Sequence, residues 1–159
     1  MLNNMIKKGF TLIELLIVIS ILAVISAIIF PSLSKFRNDR ILNNTTTDIV
    51  SLINTARNDT VASLNSKNYG IHITSTSITY FIGPSYTNGA VGNIVVTFDS
   101  AVNIPVSGGY SLNGGGSDIL FTRLTGDTIN YGTITIQLVS DPANQKTITI
   151  SKTGSVSSN

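Results

Sequence analysis

Glu14 is the one charged side chain in residues 10–30, an otherwise apolar run reading FTLIELLIVISILAVISAIIF. An ionised carboxylate within a membrane helix costs roughly 2.5–3.5 kcal/mol, so an acid kept there asks for a partner cation. Its own helix dipole returns only about 0.3–1 kcal/mol in the first turn, which does not offset that cost. Immediately before the run stand Lys7, Lys8 and Gly9, a basic pair followed by the smallest residue. A secretory signal carries its small-x-small cleavage site after the apolar run. Here the run ends in IIFPS, and the small residue beside a basic pair precedes it. Any cleavage is therefore expected on the cytoplasmic side.

Little else in the chain has the makings of chemistry. There is a single histidine, His72, and no cysteine. The lack of cysteine excludes disulfides, thiol catalysis and thiolate metal sites, and one histidine assembles no convincing triad or metal cluster. His72 falls in an expected strand and is read as facing solvent or a sheet edge. The glycines at 114–116 follow no strand and are read as loop, not as a phosphate cradle. No catalytic residue, metal or cofactor is expected, and the chain is read as a non-enzyme. The formal charge of +2 includes Lys7 and Lys8; without residues 1–9 it falls to zero. The basic pI is thus no footprint for nucleic acid, which is not expected as a partner.

The elements that must position Glu14 follow from periodicity. Residues 10–30 make roughly 31 Å of helix, enough to cross a hydrocarbon core of about 30 Å. Lys7 and Lys8 flank its start, which keeps the N-terminus cytoplasmic and sends the rest outward. Pro31 follows; within a continuing helix it removes a backbone bond to Ala27 and kinks the axis, at about 3 kcal/mol. Beyond it, Leu42, Thr46, Ile49, Ile53, Ala56, Thr60 and Leu64 recur by threes and fours, the face of an amphipathic helix running to about Ser66. The period then changes to two. Residues 69–74 and 78–82 read as a hairpin turning near Ser75 and Thr76, and 94–98 as a further strand. Residues 107–118 contain five glycines and read as an exposed loop. Residues 119–123, 133–139 and 147–152 read as a three-stranded meander.

With these residues in hand, the string KKGFTLIE at 7–14 closely resembles the class III signal of type IV pilins and type II secretion pseudopilins. The resemblance implies a prepilin leader, residues 1–9, cut between Gly9 and Phe10 by a prepilin peptidase that also N-methylates Phe10. It implies that Glu14 pairs with the Phe10 amine of a neighbouring subunit during assembly. Met5 is an alternative start that leaves the cut unmoved. A proline at the position of Pro31 is common in the family, and the kink is expected there. Many major pilins carry a glycine earlier in this stretch and a C-terminal cysteine pair, and this chain has neither. The passages ARNDTVASLNSKNYGI at 56–71 and ITISKTGSV at 148–156 also look like H-type (GspH) pseudopilins and FimT-type minor pilins.

The resemblance sets the expectations. The fold is α+β, a pilin fold, with a long N-terminal helix packed on a C-terminal antiparallel β-sheet domain. The parts are leader 1–9, transmembrane and assembly helix 10–31, amphipathic stem 32–66 and β-rich head 67–159. The implied function is a structural subunit, a minor pilin or pseudopilin of a type IV pilus or type II secretion pseudopilus. A major pilin, or a tip subunit binding DNA or a surface, is the alternative. The implied partners are other pilin subunits, the prepilin peptidase and methyltransferase, an inner-membrane assembly platform and the membrane. The implied locations are the cytoplasmic membrane before assembly and an extracellular or periplasmic filament after it.

Overall fold

A computed structural model describes residues 9–159, without the side chains of residues 28–32; Lys7 and Lys8 lie outside the described residues. The leading element is one helix, α1 (Leu12–Val61), which continues through Pro31. The chain divides into two compact units, Met1–Arg37 and Asn38–Asn159. In the first unit many apolar side chains of α1 are exposed: Leu12 is 81 % exposed, Ile17 51 % and Ile25 46 %.

In the second unit the same helix behaves differently. Leu42, Thr46, Ile49, Ile53, Ala56 and Thr60 are all buried, the face expected from their spacing. The exception is Leu64, which is exposed because the helix ends earlier than Ser66. Ser63 enters the left-handed region at φ 51°, ψ 37°, and the chain leaves α1 through a short 3-10 turn, Leu64–Ser66. Two buried threonines on this face return their hydroxyls to the helix: Thr46 donates to the Leu42 carbonyl at 2.7 Å and Thr60 to that of Ala56 at 2.8 Å. That leaves the methyl group of Thr46 to pack as an apolar residue would, while the Thr60 oxygen can still accept a bond from outside the helix.

Nine strands follow: β1 (Tyr69–Ile73), β2 (Ser77–Ile82), β3 (Ile94–Thr97), β4 (Val102–Asn103), β5 (Tyr110–Leu112), β6 (Asp118–Leu120), β7 (Gly132–Leu138), β8 (Gln145–Ile150) and β9 (Val156–Ser158). They make two antiparallel sheets, one ordered β3-β2-β1-β6 and the other β4-β7-β8-β9, with β5 also paired to β7. Inward residues alternate as the pleat requires: Ile71 and Ile73 on β1, Ile134, Ile136 and Leu138 on β7, Ile148 and Ile150 on β8. With the helix face they form one hydrophobic core. Each such isoleucine contributes about 1.5–3 kcal/mol when fully buried.

Two expectations are corrected. Residues 119–123 do not join a meander with 133–139 and 147–152. Their strand, β6, pairs with β1 through Ile71↔Ile119, which places Ile119 in the core beside the first hairpin. The stretch 107–118 is not wholly loop, since Tyr110–Leu112 pairs along β7. Its contact there is backbone to backbone: a Cβ on Gly132 would stand 1.9 Å from the Ser111 carbonyl oxygen. The short strands β4 and β9 carry too few residues for a period to show.

Candidate functional site

The first site is the start of α1. Thr11 precedes the first helical residue, and its hydroxyl accepts the backbone N–H of Glu14 at 3.3 Å. Glu14 reaches back, and its Oε2 accepts both the Thr11 N–H and the Thr11 hydroxyl at 2.9 Å. The two residues thus satisfy each other's orphan donors, a capping box. It fixes the helix origin two residues after Gly9. Gly9 and Phe10 are exposed and non-helical, and Phe10 is 92 % exposed. A Cβ built on Gly9 would meet no described atom within 4 Å. The described packing therefore makes no demand for glycine at that position.

To the helix dipole and the partner cation expected for Glu14, the structure adds the capping box. The signal was present: Thr11-Leu12-Ile13-Glu14 is the S/T-x-x-E pattern at the head of an apolar run. Of the expected site residues, the structure brings Glu14 together with Thr11 and places Gly9 and Phe10 just ahead of them. Pro31 lies within α1, its side chain among those not described. Among the described residues, no helix is long and apolar enough to cross a membrane. The described side chains of the apolar run stop at Ala27, short of the roughly 20 residues that a crossing needs.

The second site joins the two later passages, 56–71 and 148–156. Arg57 donates through Nε and Nη2 to the Thr153 carbonyl, at 3.3 and 3.2 Å. The turn it holds needs Gly154, at φ 75°, where a Cβ would stand 2.0 Å from the Gly126 carbonyl oxygen. Three residues on, the Thr60 hydroxyl accepts the Tyr69 N–H at 3.2 Å and so fastens the first strand to the helix. Asp59 accepts the Tyr80 hydroxyl at 2.9 Å. Burial raises the pKa of that hydroxyl well above the usual tyrosine value, and the bond to Asp59 pushes it further. The segment 57–60 is thus a clasp that gathers β1, β2 and the C-terminal turn.

His72 is on neither an edge nor an open face, which corrects its sequence reading. β1 lies between β2 and β6. The imidazole Nδ1 is 2.6 Å from an Asp118 carboxylate oxygen, and its ring stacks on Tyr86 with centroids 3.8 Å apart and planes within 4°. Tyr86 also meets Phe81 edge-on at 5.8 Å. Phe81 in turn lies over Gly70, where a Cβ would come within 2.5 Å of its ring. These contacts hold the loop at 83–93 against the outer face of the first sheet. Spacing along the sequence gives no hint of them, because Asp118 comes from β6 and Tyr86 from the loop after β2. Among the described residues no group of His, Asp and Glu side chains is arranged to hold a metal ion.

The comparisons agree with this geometry. Residues 4–30 match a family described as the prokaryotic N-terminal methylation motif. The fold is similar to the crystal structure of the type IV minor pilin FimU of Pseudomonas aeruginosa strain PAO1. The TM-score is 0.53 at 12 % identity, over 74 % of this chain and 92 % of that one. No match was found among curated proteins. The chain thus carries that motif at its start and shares the pilin fold, a long helix on antiparallel sheets.

Proposed function

We propose that the chain is a minor pilin or pseudopilin, made as a precursor, cut between Gly9 and Phe10, and assembled into a filament through α1. The observation that carries this reading is the head of the helix. Gly9 is demanded by nothing in the described packing, yet the capping box fixes the helix start two residues beyond it. A glycine with no structural task beside an exposed Phe10 suits an outside reader, the peptidase. The uncovered apolar side chains of α1 suit lipid before assembly and neighbouring helices after it. Residues 10–31 then span the cytoplasmic membrane as a single pass with the N-terminus inside. Phe10 receives the methyl group, and Pro31 bends the helix near the membrane exit.

Glu14 has a second partner in this reading. Its Oε2 serves Thr11, while no hydrogen bond engages Oε1 among the described residues. That oxygen is left for the Phe10 amine of an adjacent subunit, the cation that offsets the cost of a charge in a low-dielectric setting. The test is mass spectrometry of the filament-associated protein. Phe10 as the first residue, carrying one methyl group, is the expected result. An intact leader, or a cut beyond residue 30, overturns the reading. Abundance in purified filaments separates a minor subunit, present at a small fraction of the total, from a major one.

A further inference from the structure

A cleft of about 440 Å³ opens beside the clasp, lined by Ser66, Lys67, Ile82, Pro84 and Arg123 among others. It carries two cations, and no carboxylate lines it. Arg123 donates through Nε and Nη2 to the Ser63 hydroxyl, a neutral partner that leaves its positive charge uncompensated. A guanidinium has five N–H donors, so several remain. The Lys67 ammonium meets no partner among the described residues. A second cleft, of about 370 Å³, adjoins the first and shares Asn68 and Arg123 with it, adding Thr122 and Asn130 as further polar groups.

The backbone around this cleft supplies an independent observation. Four described non-glycine residues have positive φ: Ser63, Asn65, Ser66 and Leu124, at 51°, 49°, 56° and 70°. All four lie in the two segments that carry the cations, the exit from α1 and the loop after β6. Such conformations are costly, and they concentrate where a fold has to hold groups in a set place for a ligand. Here they bring Lys67 and Arg123, far apart in sequence, to one opening.

We infer that this cleft is a binding site for a phosphate group. Two unbalanced positive charges match a phosphate monoester, which carries about −1.5 to −2 at neutral pH, better than a singly charged carboxylate. Its three free oxygens accept from the planar guanidinium fork, the ammonium and the Asn68 amide at once, whereas a carboxylate offers two. The inference concerns the head alone and stands apart from the filament reading.

The test is a titration of the full chain in neutral detergent with inorganic phosphate, glycerol phosphate and acetate, followed by amide chemical shifts. Expected are saturable shifts at residues 66–68 and 123 with either phosphate compound, and about tenfold weaker binding of acetate. Tighter binding of glycerol phosphate assigns the site to a headgroup or polymer ester, and tighter binding of inorganic phosphate to the free ion. Lys67→Gln, which removes no contact of the fold, should weaken binding about fivefold, and Lys67→Gln with Arg123→Gln should abolish it. Lys152→Gln, outside the cleft, should change nothing. No saturable response, an acetate response equal to that of phosphate, or equal losses in Lys67→Gln and Lys152→Gln overturns the inference.

Discussion

The two halves of α1 are one helix by hydrogen bonding and two by what surrounds them. Residues 42–60 put Leu42, Ile49, Ile53 and Ala56 into the core at 1 % exposure or less. Residues 12–25 carry eleven leucine, isoleucine and valine side chains, and these stand 46–81 % open. The presence of isoleucine and leucine does not by itself separate these cases, since both stretches carry them. The sheets do: the second half has a face that its own chain covers, and the first has none. Apolar surface without cover inside the chain is surface intended for something else.

That contrast can be broken in order of expected effect. Glu14→Leu should be cut and retained in the membrane normally, yet enter filaments at a small fraction of the wild-type level, scored on the mutant subunit itself. Normal entry would reduce Glu14 to its capping role. Next comes a pair at matched chemistry. Ile53→Ala should lower the unfolding free energy of the subunit by about 2–5 kcal/mol. Ile17→Ala, the same truncation in the uncovered half, should change it by less than about 0.5 kcal/mol. Denaturant unfolding in detergent measures both, and equal losses would erase the distinction between the halves.

The clasp sharpens the comparison from the covered side. Gly154→Ala forces a side chain into a left-handed position and against the Gly126 carbonyl, so a loss of about 3 kcal/mol is expected by the same unfolding measurement. Thr60→Val keeps the shape but leaves the Tyr69 N–H without its buried acceptor. It should cost about 2 kcal/mol. Amide exchange at Tyr69 should accelerate in Thr60→Val and stay unchanged in Ile17→Ala.

How much of this was legible in the sequence depended on whether the deciding contact was local. The buried face of α1 was read from spacing, and the first hairpin from alternation, with its turn at Ser75 and Thr76 where the strands leave it. The signal around Gly9 and Glu14 was legible because its residues are neighbours, although the Thr11 half of the capping box was overlooked. β6 was placed in the wrong sheet because strand partners are chosen by the core, and Ile119 fits opposite Ile71 only once the helix is in place. His72 was misjudged for the same reason. The cleft at Lys67 and Arg123 is the furthest from sequence, since its parts meet only through the exit from α1.

The bond from Arg57 to Thr153 spans 96 positions along the chain. A contact that distant sets an order of events in time. The helix is complete long before its acceptor has been synthesised, and the closing turn arrives only after eight of the nine strands. Folds ruled by such remote pairings form slowly, because the intervening chain must be gathered before the closing contact is made. A nascent subunit therefore exposes the ends of its sheets until residue 154 has emerged. Any shorter product lacks the latch and is left open to proteases.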